Sequence, residues 1–242
     1  MANIIDYIDW RGDLTFEERP FNEVDNLIFA ELAYTDLDGV LNKTECISIA
    51  EFAERFERSG RDLSERANDP SDVIKKCGQA ERFKGVLVTD YVTSFDAEEE
   101  KQFAAMTFVL GDGSVYVSYR GTDNTIVGRR EDFNFIVSEG TPAQLDAVGY
   151  LNRILGKFDG KIYVGGHSKG GNLAIYASAF CEDPERICRV YSNDGPGFNS
   201  AVTSEESYKR MLPKVQVIIP EDSMVSIMLY NKDEKKIVKS SV

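Results

Sequence analysis

The sequence predicts an α/β fold: a mostly parallel central sheet, helices on both faces, and a mainly helical N-terminal third. Three observations predict it. In the first third, apolar residues recur at helical spacing. In the second half, short β-rich runs alternate with helical patterns, as strands joined by crossover helices require. Between one such pair lies Gly166-His167-Ser168-Lys169-Gly170, a G-x-S-x-G stretch with an apolar run before it and a small-residue helical run after it.

The elements follow in chain order. "PFNEVDNLIFAELAY" places Val24, Leu27, Ile28 and Leu32 on one helical face. "SIAEFAERFERSG" opens with Ser48 and Glu51 at capping-box spacing and closes on Gly60, a residue suited to follow a helix. "DPSDVIKKCGQAERF" reads as a further short helix. "GVLVTDYVTSF" then reads as a strand, and "FAAMTFVLGDGSVYVSYRG" as a hairpin turning at Asp112 and Gly113. Thr141 and Pro142 fit the cap and first position of a helix carrying Leu145, Val148, Leu151 and Leu155. Strand "KIYVG", helix "NLAIYASAF", strand "ICRVYS", a helical stretch at "SEESYKRML", strand "KVQVII" and strand "KKIVKSS" complete the series. No repeat or low-complexity linker interrupts it, so residues 1–242 are expected to form one domain.

Composition bounds the function. The chain has 28 basic and 41 acidic residues, a formal charge of −13, which argues against nucleic acid and anionic membrane surfaces as main partners. No apolar run is long enough to span a bilayer, so stable membrane insertion is not expected. The N-terminus lacks the basic and apolar regions of a secretory signal, which points to the cytoplasm. Cys46, Cys77, Cys181 and Cys188 show no C-x-x-C or Cys/His spacing, so reduced thiols are expected and no metal or cofactor is implied.

The chemistry concentrates at the G-x-S-x-G stretch. A serine on a strained strand-to-helix turn lifts its Oγ clear of the sheet, and glycines on either side let strand and helix pass closely. Ser168 is therefore the candidate nucleophile. The backbone N–H of Lys169, the residue after it, is the first candidate oxyanion donor. The Lys169 side chain is expected near the site mouth, in solvent. His167, the only histidine, precedes Ser168 directly. Neighbours along a strand point to opposite faces, so His167 is read as structural and the base is elsewhere or absent. In this fold the acid follows the serine in sequence. The second strand after Ser168 delivers Pro220-Glu221-Asp222-Ser223 at its carboxyl end, where such sheets place site residues. Asp222 is the candidate acid, and Asp194, in "SNDGPG", the alternative. A Gly-rich turn without chemistry is the competing reading of the serine stretch, although the P-loop pattern is absent.

With those residues in place, the sequence resembles the α/β-hydrolase superfamily and, within it, the class 3 lipase-like group. "VYVSYRGTDN", "EDFNF", "GGHSKGGNLA" and "VYSNDGPGFN" followed by "VQVIIPEDSMV" carry that resemblance. More narrowly, "YIDWRGDLTF…PFNEVDNLIFAELAY" with "GHSKGGNLA", "SNDGPGF" and "IPEDSMV" resembles the bacterial Mbeg1-like (DUF2974) family of lipase-like proteins, over nearly the whole chain. The resemblance implies an α/β-hydrolase fold, a second oxyanion donor at Thr122, and a lipid or other acyl ester as substrate. Arg120 is expected to fix that loop by pairing with a carboxylate such as Asp132.

The resemblance also implies a histidine beyond the strand "KKIVKSS", and the sequence reaches Val242 without one. A shortened hydrolase, a non-catalytic relative and a base supplied by a partner chain all remain open. The leading expectation is a serine hydrolase that cleaves carboxylic esters through an acyl-enzyme on Ser168, impaired here for want of the base. The alternative is a binding or interaction protein on the same scaffold. The helical first third is a lid over the site or part of the core, and the oligomeric state is left open.

Overall fold

The structure is a computed structural model that describes residues 3–35, 41–42, 45–61, 69–96, 101–121, 140–223, 225 and 235–239. Eight strands form one sheet: β1 (Cys46–Ser48), β2 (Leu87–Asp96), β3 (Lys101–Val109), β4 (Val115–Tyr119), β5 (Ile162–His167), β6 (Ile187–Asn193), β7 (Val215–Pro220) and β8 (Lys235–Val238). Their order across the sheet is their order along the chain. The pairings from β1 to β4 are antiparallel and those from β4 to β8 parallel.

Alternation along the strands builds two cores, because successive side chains point to opposite faces. On β4, Val115, Val117 and Tyr119 join one cluster and Tyr116 joins the other. On β7, Val215, Val217 and Ile219 lie on the first side and Ile218 on the second. Every residue of β4 is buried, as expected of a strand covered on both faces.

The first face is covered by α6 (Pro142–Lys157), α7 (Lys169–Phe180) and α9 (Glu206–Met211), with α8 (Ser200–Ser204) at the edge. Thr141 caps α6 in a reciprocal box with Gln144, and Pro142 opens it. The buried face of α6 runs through Ala147, Leu151, Ile154 and Leu155, whereas Leu145, expected on it, is 61% exposed.

The helices of the first third cover the second face: α1 (Ile4–Arg11), α2 (Glu23–Leu32), α3 (Ile49–Ser59), α4 (Ser71–Gln79) and α5 (Glu81–Lys84). They are core and not a lid. Ile28, Phe29 and Leu32 of α2 are wholly buried, and Phe29 stacks on Phe108 with ring centroids 4.6 Å apart. The α2 face differs from the expected one. Val24 and Leu27 are only half-buried, while Asp25 and Asn26 are fully buried because each is answered by a specific partner. Gly60 closes α3 at φ 63°, as its position implied. Ser48 accepts from Glu51 N at 3.1 Å, but the Glu51 carboxylate turns to Arg55, leaving the box half-made.

Candidate active site

Strand β5 runs parallel between β4 and β6 and ends at His167; α7 begins at Lys169. Ser168 bridges them with φ 54° and ψ −128°. A non-glycine residue at positive φ with an extended ψ is strained by about 1–3 kcal/mol, and such strain collects at functional positions. Two backbone bonds hold it: Ser168 N–H to the Asn193 carbonyl and Gly171 N–H to the Ser168 carbonyl, both 2.9 Å. Ser168 occupies the cap position of α7, where a serine hydroxyl normally accepts a hydrogen bond from the helix amides. It makes no such bond. The hydroxyl of this half-buried residue is therefore not spent on capping.

The glycines of the stretch are required by close approach. A Cβ on Gly166 would lie 2.5 Å from the Tyr119 carbonyl oxygen, and one on Gly170 only 2.1 Å from the same atom. The end of β4 passes directly over the turn, which brings Arg120 and Gly121 beside it. A Cβ on Gly121 would meet the His167 carbonyl at 2.6 Å.

His167 sits below the turn. Its Nδ1 is 2.9 Å from the Tyr34 hydroxyl, which belongs to the segment just after α2. Burial pushes its pKa down, and the nearby Asp194 carboxylate opposes that in part. This ring is thus tied to the segment that follows α2.

The Lys169 backbone N–H is one of the first-turn amides of α7, which have no acceptor within the helix and lie at its positive end. The Lys169 side chain departs from expectation. It is buried, with Nζ donating to the Gln102 carbonyl on β3 at 2.7 Å. An ammonium on a long stem can reach a carbonyl across β4, and a buried charge needs that hydrogen bond, so it turns inward.

Both candidate acids stand at strand carboxyl ends. Asp222 lies in the exposed turn after β7. Asp194 follows β6, also at positive φ (52°), with its N–H on the Ile218 carbonyl at 2.8 Å. Its carboxylate accepts from the Ser223 hydroxyl, so the two acid-bearing turns are linked through the residue after Asp222. Gly195 closes the cluster, for a Cβ there would lie 3.0 Å from the Ser168 carbonyl. Thr122 and Asp132 fall outside the described residues. Arg120 donates its backbone N–H to Ala104 O at 3.0 Å, and its Nε has no hydrogen-bond partner among the described residues.

Sequence reasoning missed Tyr34, and it missed the buried Asn26–Asn193 pair that ties α2 to β6, with Asn26 Nδ2 2.8 Å from Asn193 Oδ1. Asn193 also donates to the Gly166 carbonyl at 3.1 Å, so this pair supports the turn from beneath. The pair carried one signal, two polar residues at core positions of apolar elements. Tyr34 carried none. Among the described residues no group of three His, Cys, Asp or Glu side chains is placed to hold a metal ion. No described helix is long and apolar enough to cross a membrane.

A model of the family described as Mbeg1-like matches residues 77–242. No curated protein matches the chain. Among solved structures, the chain is similar to a Rhizomucor miehei lipase in its propeptide complex, at 14% identity and a TM-score of 0.52 over 89% of this chain and 66% of that one. A fungal lipase in an inhibitor complex aligns at 19% identity and a TM-score of 0.44, over 57% of this chain and 58% of that one. The M37 lipase aligns at 12% identity and a TM-score of 0.45, over 80% and 65%. The chain thus spans about three fifths to two thirds of the length of these lipases. At such low identity the likeness to the first of them shows a shared fold alone.

Proposed function

The chain belongs to the Mbeg1-like family, and from that premise we propose that it is a lipase-like serine hydrolase acting on carboxylic esters, with lipid esters the favoured class. One observation carries the reading: Ser168 keeps a strained positive φ at a strand–helix junction while leaving its hydroxyl out of the helix cap. In the proposed reaction Ser168 Oγ attacks the ester carbonyl carbon, its proton passes through the base to the leaving oxygen, and the C–O bond breaks to release the alcohol and leave an acyl-serine. Water then attacks the acyl-serine, releasing the acid and restoring the hydroxyl. The Lys169 N–H, with Thr122, stabilises the oxyanion of each tetrahedral intermediate. Asp222 orients the base, and Asp194 is the alternative acid, supported by its hydrogen bond from Ser223, the residue after Asp222. The base is an imidazole that His167 does not supply. Turnover by these 242 residues alone is therefore expected to be weak, since loss of one triad member removes most of kcat while leaving oxyanion stabilisation in place.

The second reading, a binding protein on a hydrolase scaffold, is favoured by the engagement of the sole histidine with Tyr34. A fluorophosphonate probe separates the two. Covalent labelling mapped to Ser168 by mass spectrometry, and absent in Ser168→Ala, is the expected result. A wild-type chain that stays unlabelled over hours at millimolar probe would leave the binding reading standing.

A further inference from the structure

On the first-third side of the sheet, α1 and the segment leading into α2 enclose a cavity of about 380 Å3. Its base is Arg82, buried on α5. The guanidinium pairs with Asp25 at 2.6 and 2.8 Å and donates to the carbonyls of Leu14, Thr15 and Arg19 at 3.0 to 3.1 Å. Tyr7 donates to Asp25 at 3.1 Å and accepts from Asn22 Nδ2 at 2.7 Å. The floor is thus polar and mutually satisfied.

Arg11 and Arg19 stand differently. Both line the cavity, both are exposed, and neither side chain has an ion pair or hydrogen bond among the described residues. In a chain with 41 acidic residues against 28 basic ones, three of the other described arginines are paired with carboxylates. Arg55 pairs with Glu45 and Glu51, Arg58 with Glu54, and Arg82 with Asp25. None of the described residues lining the cavity carries a carboxylate, and several acids nearby are engaged elsewhere. Asp25 is neutralised by Arg82, Glu18 accepts from Thr15, and Asp6 accepts from the Asn3 N–H. Asn22 retains a second amide hydrogen beyond the one given to Tyr7.

We infer that this cavity is a binding site for a phosphate-bearing organic anion, held by Arg11 and Arg19 against the Tyr7–Asn22–Arg82 floor. Guanidinium forks match phosphate oxygens in bidentate geometry and outbid water there more readily than an ammonium does. The volume lies in the range of small-molecule sites, which is larger than inorganic phosphate needs and leaves room for an organic remainder. The cavity adjoins the N-terminal end of α2, whereas Tyr34, which touches the serine turn, follows its C-terminal end. A ten-residue helix is ~15 Å long, so this is a site apart from the elbow. The ligand is a soluble phosphate compound or a lipid phosphate headgroup.

The chain carries its own reporter, since Trp10, the sole tryptophan, is 67% exposed and adjoins Arg11. Inorganic pyrophosphate titrated at constant ionic strength, followed by Trp10 fluorescence and by calorimetry, is expected to give saturable binding. Arg11→Gln and Arg19→Gln should each weaken it about tenfold, the scale of one charged hydrogen bond, with thermal unfolding unchanged. Ser168→Ala should bind as the wild type does. In parallel, vesicles of phosphatidylcholine with and without phosphatidic acid are floated with the chain. Recovery only with phosphatidic acid, lost in the Arg11→Gln/Arg19→Gln double variant, assigns the phosphate to a headgroup. Pyrophosphate binding without flotation assigns it to a soluble compound. Binding in neither arm, or binding that the double variant leaves intact, overturns the inference.

Discussion

Ser168 sets a direct test at the scale of one residue. Its backbone angles suit glycine and penalise any side chain, whether or not that side chain carries a hydroxyl. Ser168→Ala keeps the strain and Ser168→Gly releases it. The glycine variant is therefore expected to unfold later than the alanine variant, by roughly 1 kcal/mol after glycine's extra chain entropy is counted. Urea titrations of both variants measure it, and equal midpoints would mean that the turn is not strained. The turn at the serine and its two flanking glycines was legible in the sequence, because a tight turn restricts which residue types can occupy it. The inward course of the Lys169 side chain was not. Nothing in "HSKGG" reveals that a carbonyl on β3, 67 positions earlier, lies within reach.

Among the elements, α6 shows how local rules and long-range contacts divide the work. Thr141 and Pro142 announce its start, and the structure adds a reason to keep it there. Gln144 returns the cap to Thr141 N at 2.9 Å and also donates to Asn172 on α7 at 2.8 Å. Thr141→Ala is expected to destabilise the chain by about 1–2 kcal/mol, the upper part of the capping range, since the site is buried. Chemical denaturation checks this, and a loss below a few tenths would mean that Asn172 and Gln144 hold the helix start unaided. Leu145 shows where periodicity misleads. It shares the spacing of Leu151 and Leu155, but the helix buries Ala143, Ala147 and Ile154 beside those two and leaves Leu145 outside. In α2 the core includes Asp25 and Asn26, whose partners Arg82 and Asn193 come from distant segments that hydrophobic spacing does not register.

Across the whole molecule, stability should depend on pH through two partly buried groups that act in opposite senses. Glu31 is pushed up to about 7, chiefly by burial and also by the Asp69 carboxylate. Its folded pKa exceeds its unfolded one, so its contribution is present at pH 4 and lost as pH rises through 7. His167 is pushed down by burial, so its contribution is present above its ordinary value near 6.5 and lost as pH falls toward the folded pKa. Glu31→Gln is therefore expected to stabilise the chain at pH 8, by roughly 2 kcal/mol, and to do little at pH 4.5. Thermal unfolding across that range reads the difference. A gain equal at both pH values would point to packing instead of charge.

The sheet's order has a consequence for assembly. Since β1 to β8 lie side by side in the sequence in which they are synthesised, each new strand joins the rim left by its predecessor, and none has to be threaded between two already in place. A nascent chain can accrete this sheet vectorially, with the antiparallel hairpins laid down before the crossover units. The bend at Ser168 is anchored only once Asn193 emerges to receive its amide hydrogen, so this turn is completed after the strands that precede it have been made.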